Sequence, residues 1–218
     1  MVFADRRHAG RLLAGQLQRF AADHPVVVAL PRGGVPVGFE IARALAAPLE
    51  ILAVRKLGAP ANPEFGVGAI AEDGTVVLDR VTASRVGLTF GVLDETVARE
   101  VRELRRRVAR YRGDRPALDV SERTVIVADD GLATGVTDVA AVRALRGLGA
   151  ARVIVAVPVG VRASLARVGE EADEVICHTV PIELHGVGFW YEDFSPVSDE
   201  QVLELLHRAD ARPPRGPA

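Results

Sequence analysis

The sequence predicts an α/β protein with a mostly parallel central sheet that is flanked by helices on both faces. Short apolar runs of strand length alternate with segments of helical periodicity, and these runs are apolar throughout rather than at every second residue. Continuous apolar strands are typical of sheets buried on both faces, which are mostly parallel. With 218 residues, the chain is long enough for a single domain of this class with its own core.

The predicted elements follow one another in a regular order. The helices are expected over residues 5–23, 35–46, 94–111, 136–148, 162–170 and 199–206. The strands are expected over 25–31, 49–54, 67–71, 75–79, 124–128, 152–157 and 174–177. Glu72, Asp73 and Gly74 lie between the third and fourth strands, where they predict a hairpin turn. In parallel sheets ligands bind beyond the carboxyl ends of the strands, so the loops after the strands are the places to search.

The composition restricts the kinds of partner and the cellular compartment that we expect for this protein. The formal net charge is −2, which argues against a duplex nucleic acid as partner. Cys177 is the one cysteine, so an internal disulfide is excluded and a reducing compartment, the cytoplasm, is expected. Neither a secretory signal nor an apolar run of roughly 20 residues is present, so no association with a membrane is expected.

Residues 125–137 carry the strongest functional signal. They read VIVADDGLATGVT, an apolar strand that ends in Asp129 and Asp130 and then a glycine-containing loop that opens a helix. Amides at a helix N-terminus bind phosphate, and carboxylates accept hydrogen bonds from vicinal hydroxyls such as those of a ribose. Thr134 and Thr137 add hydroxyl groups. The pattern therefore indicates a ligand that has sugar hydroxyls and a terminal phosphate.

Other interpretations of this segment explain less of it. A plain strand-to-helix turn capped by Thr137 accounts for the glycines and threonines, but not for two adjacent acids at a strand end. A P-loop is excluded because no Gly-Lys-Ser/Thr follows, and the GxGxxG of a dinucleotide site is absent from this segment.

The segment resembles the phosphoribosyl-pyrophosphate (PRPP) motif of type I phosphoribosyltransferases. The resemblance implies that Asp129 and Asp130 hold the ribose 2′ and 3′ hydroxyls and that residues 133–137 surround the 5′-phosphate. The residues implied to contact PRPP in this loop are Gly131, Leu132, Ala133, Thr134, Gly135, Val136 and Thr137. Family members that use hypoxanthine or guanine carry an acid at the position of Ala133, so this chain departs from that substrate class.

A second loop fits the family's pyrophosphate loop. Residues 30–38 read LPRGGVPVG after the first strand, and the resemblance implies that Arg32, Gly33 and Gly34 contact pyrophosphate. A solvent-exposed turn is the alternative. Arg55 and Lys56 end the second predicted strand, where relatives place a basic residue against pyrophosphate. They could equally be charges that stop a strand, but Lys56 is the one lysine among 27 basic residues, which favours a function.

The acceptor site is expected in a hood, by which we mean residues 1–24 together with 179–196. Phe189, Trp190 and Tyr191 could stack on a base, although Trp190 could equally fill the core. Glu183 and His185 are conceivable acid–base groups, whereas Cys177 and His178 lack the further ligands of a metal site. An inserted, arginine-rich region over 80–118 corresponds in order to the family's mobile loop, and Arg85 is its candidate to reach the site. Residues 209–218 are expected to be a disordered tail.

These features predict a phosphoribosyltransferase domain over residues 1–208. Arg32, Lys56, Asp129 and Asp130 are its expected catalytic residues, and Mg²⁺ is expected to arrive with PRPP and to contact Asp129 and Asp130. The 30–38 loop and the aromatic ending of the hood resemble an uncharacterised branch of predicted phosphoribosyltransferases, whose small-molecule acceptor is not established. A non-catalytic sensor of PRPP and a phosphosugar hydrolase are the alternatives. A homodimer is compatible with the sequence.

Overall fold

The computed structural model describes residues 3–59, 62–79, 90–113 and 115–211. Its α-helices are α1 (Arg6–Leu17), α2 (Gly34–Leu45), α3 (Phe90–Arg112), α4 (Val136–Gly147), α5 (Arg162–Gly169) and α6 (Asp199–Asp210). Its strands are β1 (Val26–Ala29), β2 (Leu49–Ile51), β3 (Val54–Ala59), β4 (Asn62–Ala71), β5 (Val76–Leu78), β6 (Thr124–Ala128), β7 (Arg152–Val159) and β8 (Glu174–Thr179). Two 3₁₀ helices cover Gln18–Asp23 and Val187–Trp190.

The main sheet has five parallel strands in the order β2-β1-β6-β7-β8. Strands β1 and β6 are neighbours at its centre, and Ala29 pairs with Ala128 at their carboxyl ends. Both strands are buried along almost their whole length, as the continuous apolar runs predict. The predicted fold class is therefore confirmed.

Two apolar layers enclose this sheet. Val125 and Val127 of β6 face α4, while Ile126 and Ala128 face α1, α2 and α6. This alternation follows from the two-residue period of a strand. Helices α2 and α4, which follow the two central strands, consequently lie on opposite faces of the sheet.

The chain leaves the main sheet earlier than the sequence predicts. The predicted strand over 49–54 is wrong as a single element, because β2 ends at Ile51 and a new strand begins at Val54. Val54 pairs with Ala71 in a second, antiparallel sheet of order β3-β4-β5. An unbroken apolar run cannot show where a chain passes from one sheet to the next. Arg55 and Lys56 therefore lie within β3 and do not end a strand.

The predicted hairpin is present as β4 and β5. Its turn contains Gly74 with φ of +93°, a left-handed conformation that glycine adopts without strain. Helix α3 packs on the small sheet through Leu104, against Leu57, Val67 and Ile70. Residues 80–89 and 114 of the predicted insert, including Arg85, lie outside the described residues.

The ends of the chain also differ in part from expectation. The opening helix ends at Leu17 and continues to Asp23 as a 3₁₀ helix. Helix α6 reaches Asp210, so the first two residues of the predicted tail are helical, and residues 212–218 lie outside the described part. None of the described helices has the length and apolar character needed to cross a membrane.

Candidate phosphate and ribose site

The two adjacent acids lie where β6 ends at the carboxyl edge of the main sheet. Asp129 and Asp130 follow Ala128 directly, and both side chains are half-buried. The Asp130 amide donates a hydrogen bond to Asp129 Oδ1 at 2.8 Å. Because β6 is a central strand, its end opens between the loops of its neighbours, which is where ligands bind in this class of sheet.

The 30–38 loop, of which residues 34–38 form the start of α2, packs directly on this strand end. A Cβ atom on Gly33 would lie 1.9 Å from Asp130 Oδ2, and one on Gly34 would lie 2.3 Å from the Ala128 carbonyl oxygen. A larger residue at Gly34 would require a shift of the backbone, and one at Gly33 would displace the Asp130 side chain. The peptide bond between Pro31 and Arg32 is cis. The structure thus brings together two glycine loops that the sequence separates by almost one hundred residues.

The loop before α4 is held in place by β7 and α5. Leu132 is fully buried and its amide donates to the Val159 carbonyl oxygen at 2.8 Å. Ser164, in α5, donates its hydroxyl to the Ala133 carbonyl oxygen at 2.5 Å. Gly135 caps α4 with φ of +75°. Leu132 is accordingly an anchor of the loop, and its amide is not available to a phosphate.

The same loop has backbone amides that remain available as hydrogen-bond donors. Among the residues that the structure describes, none accepts a hydrogen bond from the amides of residues 133–137. Ala133 and Thr134 are exposed, and Thr137 is half-buried. Consecutive free amides at the start of a helix form an anion-binding nest, to which the helix dipole adds.

A third acid lies close to the pair. Asp138 is 3% exposed and occupies the first turn of α4, and its Oδ1 atom has no hydrogen-bond partner among the described residues. Burial raises the pKa of Asp138 to about 7. Burial, then the charges of Asp130 and Asp138, raise the pKa of Asp129 well above its usual range. Sequence reasoning missed Asp138, since an acid in the first turn of a helix is common.

Asp130 has two further partners from the hood. Arg6 donates from Nε to Asp130 Oδ2 at 2.7 Å, and the Tyr191 hydroxyl donates to the Asp130 backbone carbonyl oxygen at 2.6 Å. Burial raises the pKa of Asp130, whereas the Arg6 guanidinium lowers it. Arg6 was also missed by sequence reasoning. No motif links it to an acid 124 residues away.

The predicted basic residues lie in different places. Arg32 is exposed in the 30–38 loop, and its Nη1 atom lies 3.7 Å from Asp199 Oδ1. Arg55 forms an ion pair with Glu100 of α3 at 2.6 Å, so contact with a ligand requires that pair to open. Lys56 is exposed on β3, and its side chain has no hydrogen bond or ion pair within the described residues.

The three consecutive aromatic residues divide between core and surface. Tyr191 is buried between Phe3 and Phe194, with ring centroids 5.3 and 5.0 Å away, and Trp190 is half-buried beside it. Phe189 is 77% exposed. Phe189 is therefore the one of the three with a ring face open to a ligand.

Two predicted polar pairs have no metal-binding arrangement. Cys177 donates to the Thr179 carbonyl oxygen, and His178 contacts Gln16. Glu183 and His185 are exposed and 3.8 Å apart. Across the described ranges, no group of three or more His, Cys, Asp or Glu residues is placed to hold a metal ion.

An open, mostly apolar cavity of about 860 Å³ adjoins the free amides. It lies between the loop before α4, the start of α5 and the hood. Its lining includes Ala133, Thr134, Arg162, Ile182, Leu184 and His185. A flat, partly apolar molecule could enter it beside a phosphate held by the loop.

The chain matches a known protein family over most of its length. Residues 5–193 match the model of the phosphoribosyl transferase domain. Two proteins from Mycobacterium tuberculosis strains CDC 1551 and H37Rv, provisionally named phosphoribosyl transferases, are each 42% identical to the chain over 208 residues. These alignments cover 95% of the chain and 47% of each relative, so the chain spans about half the length of the curated relatives it matches.

Solved structures resemble the chain over nearly its whole length. The crystal structure of TT1426 from Thermus thermophilus has 42% identity and a TM-score of 0.80, covering 95% of this chain and 99% of that one. A purine phosphoribosyltransferase from Pyrococcus horikoshii shares the fold at 15% identity and a TM-score of 0.50, covering 90% and 97%. The matched range, residues 5–193, contains the acidic pair and both glycine loops, and the chain belongs to the phosphoribosyltransferase family.

Proposed function

We propose that this protein transfers the 5-phosphoribosyl group from PRPP to a nitrogen atom of a nucleobase-like acceptor and releases pyrophosphate. One observation carries the proposal: the acids at the end of β6, the glycines that pack on them and the free amides of residues 133–137 meet at one edge of the sheet. PRPP has a diol, a pyrophosphate and a 5′-phosphate, one group for each of these features.

The reaction forms a bond between the acceptor nitrogen and C1 of the ribose and breaks the bond between C1 and the pyrophosphate oxygen. Positive charge develops on the sugar and negative charge on the leaving group. In this proposal Asp129 and Asp130 hold the ribose hydroxyls, and residues 133–137 hold the 5′-phosphate. Gly33 gives pyrophosphate close access to the backbone, whereas the amide of the adjacent Gly34 donates to the Leu30 carbonyl oxygen at 3.0 Å and fixes the turn. Arg32 and Lys56 stabilise the leaving pyrophosphate. Catalysis thus consists mainly of positioning and charge stabilisation.

Magnesium fits the donors of this site. Asp129 and Asp130 supply carboxylate oxygens, which are ligands that Mg²⁺ prefers. Because no group of three candidate ligands is placed around them among the described residues, we propose that the ion arrives with PRPP. When bound, it would neutralise charge on the pyrophosphate. Because burial raises the pKa of both acids, a bound cation or hydroxyl donor would stabilise their charged forms.

The cavity beside Ala133 is our proposed acceptor site. Its apolar lining suits the face of a flat base, with Arg162 and His185 available for polar contacts and Phe189 exposed nearby in the hood. Ala133 supplies no acid to accept a proton from the base. The single cysteine is in keeping with a reducing, cytoplasmic setting for this activity.

The test measures pyrophosphate release from Mg²⁺–PRPP with a panel of nucleobases. A transferase releases pyrophosphate only with an acceptor, a hydrolase releases it without one, and a sensor binds PRPP without turnover. Asp129→Asn and Asp130→Asn should each weaken PRPP binding at least tenfold, because each removes a charged acceptor. Asp119→Asn, in a loop away from the site, is the control. Wild-type protein that does not bind PRPP would refute the proposal.

A further inference from the structure

Arg6 is held on three sides in the hood. Its Nε atom donates to Asp130 Oδ2 at 2.7 Å, and its Nη1 atom donates to the Ser195 carbonyl oxygen at 2.9 Å. The guanidinium carbon lies 3.8 Å from the centroid of the Phe194 ring, close enough for a cation–π contact. The Arg6 side chain is 10% exposed. This arginine therefore has a fixed position, unlike a surface arginine.

The contact engages one side of the Asp130 carboxylate. Oδ2 faces both Arg6 and Gly33, whereas Oδ1 is farther from Gly33, at 3.2 Å from the position of a Cβ atom there compared with 1.9 Å for Oδ2. Because Arg6 and the tightly packed loop both contact Oδ2, they determine the rotation of the carboxyl group. Oδ1 is left for a ligand hydroxyl.

The charge of Arg6 also matters at this place. Asp129, Asp130 and Asp138 gather three acids in a partly buried region, where each raises the free energy of ionising the others. Arg6 is the one basic residue that forms an ion pair with any of the three within the described chain. Without it, Asp130 would lack both its orientation and its compensating charge.

We propose that Arg6 is a positioning residue of the ribose site, which fixes Asp130 for the ribose hydroxyl and ties the hood to the acidic pair. This inference rests on the proposed function. Its effect is confined to the diol half of the ligand, because in the described part of the chain Arg6 has no hydrogen bond or ion pair with the 133–137 loop. A competing arrangement, in which Arg6 blocks the ribose and must leave, predicts the opposite sign.

Calorimetric titration with two probes tests the inference. Arg6→Ala should lower the affinity for ribose 5-phosphate about tenfold or more, which is the usual effect of losing a charge-assisted hydrogen bond. Its affinity for inorganic phosphate, which needs only the loop, should stay unchanged. Arg6→Lys restores the charge without the second hydrogen bond, so it should recover part of the lost affinity. Arg11→Ala, on the exposed side of the same helix, is the matched control.

The outcomes separate this inference from the proposed function. An Arg6→Ala protein that binds ribose 5-phosphate as tightly as the wild type, or more tightly, would overturn the role of Arg6 and leave the proposed function standing. Wild-type protein that binds neither PRPP nor ribose 5-phosphate would overturn both. If Arg6→Ala does not fold, Arg6→Lys decides: affinity for ribose 5-phosphate below that of the wild type, with unchanged affinity for phosphate, supports the role, and unchanged affinity for both overturns it.

Discussion

The hydroxyl of Tyr191 donates a hydrogen bond to the backbone carbonyl of Asp130, 2.6 Å away, and so joins the hood to the loop that carries the acidic pair. Tyr191 is 6% exposed, and its ring packs on Phe3, whose backbone in turn forms hydrogen bonds with residues 190 and 192. The acidic loop therefore has a support in the hood that does not depend on any ligand.

Tyr191→Phe should lower the free energy of unfolding by about 1 kcal/mol, because the Asp130 carbonyl oxygen loses its partner in a partly buried place. We also expect a loss of a few-fold in affinity for ribose 5-phosphate, measured by calorimetry beside urea unfolding. Phe189→Leu, on a residue that is 77% exposed, should leave stability unchanged. Equal stability of the two variants would contradict the support role of the hydroxyl.

Gly34→Ala should abolish the close contact between the 30–38 loop and the end of β6. The added Cβ would lie 2.3 Å from the Ala128 carbonyl oxygen, a distance that backbone atoms on both sides must relieve. Binding of pyrophosphate should fall at least tenfold, as measured by calorimetry. Gly15→Ala is a matched control, since its Cβ would meet nothing within 4 Å in helix α1. The Gly15→Ala protein should be as stable as the wild type or slightly more stable.

Asp138→Asn should change the pH dependence of stability. The folded pKa of Asp138, about 7, lies above its ordinary value of 3.8, so the folded state binds more protons than the unfolded state between these pH values. The wild type therefore becomes less stable as pH rises through this window. The asparagine variant escapes that loss, so it should gain about 1–3 kcal/mol over the wild type at pH 8 but little at pH 4. Urea unfolding at both pH values measures the difference.

Glu103→Gln provides a comparison of opposite sign. The hydrogen bond from Arg106, together with Arg107, lowers the pKa of Glu103 to about 2, so its contribution is present at neutral pH and is lost as pH falls toward 2. The glutamine variant should be slightly less stable than the wild type at pH 8. A change of the same sign in both variants at pH 8 would show that burial does not control the titration of Asp138.

Ala133→Asp should alter the choice of acceptor. Ala133 is exposed and lines the cavity next to the free amides, so an aspartate there can accept a proton or hydrogen bond from a base. We expect the variant to gain binding of hypoxanthine or guanine relative to adenine, measured by titration into the Mg²⁺–pyrophosphate-loaded protein. Ala163→Asp, on α5 in the lining of the same cavity, adds the same charge at a different position. A similar gain in both would mean that charge, not position, is responsible.

The sequence was sufficient to predict the main sheet and the two loops at its edge. Continuous apolar runs predict buried parallel strands, and the 125–137 pattern specifies residue types at fixed spacing, so both depend on local information. The division between β2 and β3 could not be predicted in this way, because Leu52 and Ala53 are as apolar and as buried as the strands on either side of them.

The two site residues that the sequence did not predict were missed for a different reason. Arg6 lies 124 residues before Asp130 in the sequence, and the pKa of Asp138 is raised by its burial and by the nearby charge of Asp130. In a chain with so many arginines, composition gives no reason to prefer Arg6 over its neighbours Arg7 and Arg11. Such residues are recognised only once the packing of helix α1 on the sheet is known.

The order of the strands has a consequence for how this protein can diversify. After β1 the chain turns toward one edge of the sheet, and after β6 it turns toward the other, so α2 and α4 diverge and a crevice opens between them. The order of the strands produces this opening, so the side chains around it are not needed to maintain it. Under the proposed function, substitutions at Ile182 and His185, which line the adjoining cavity, would change the preferred acceptor without altering the residues that hold the phosphorylated sugar.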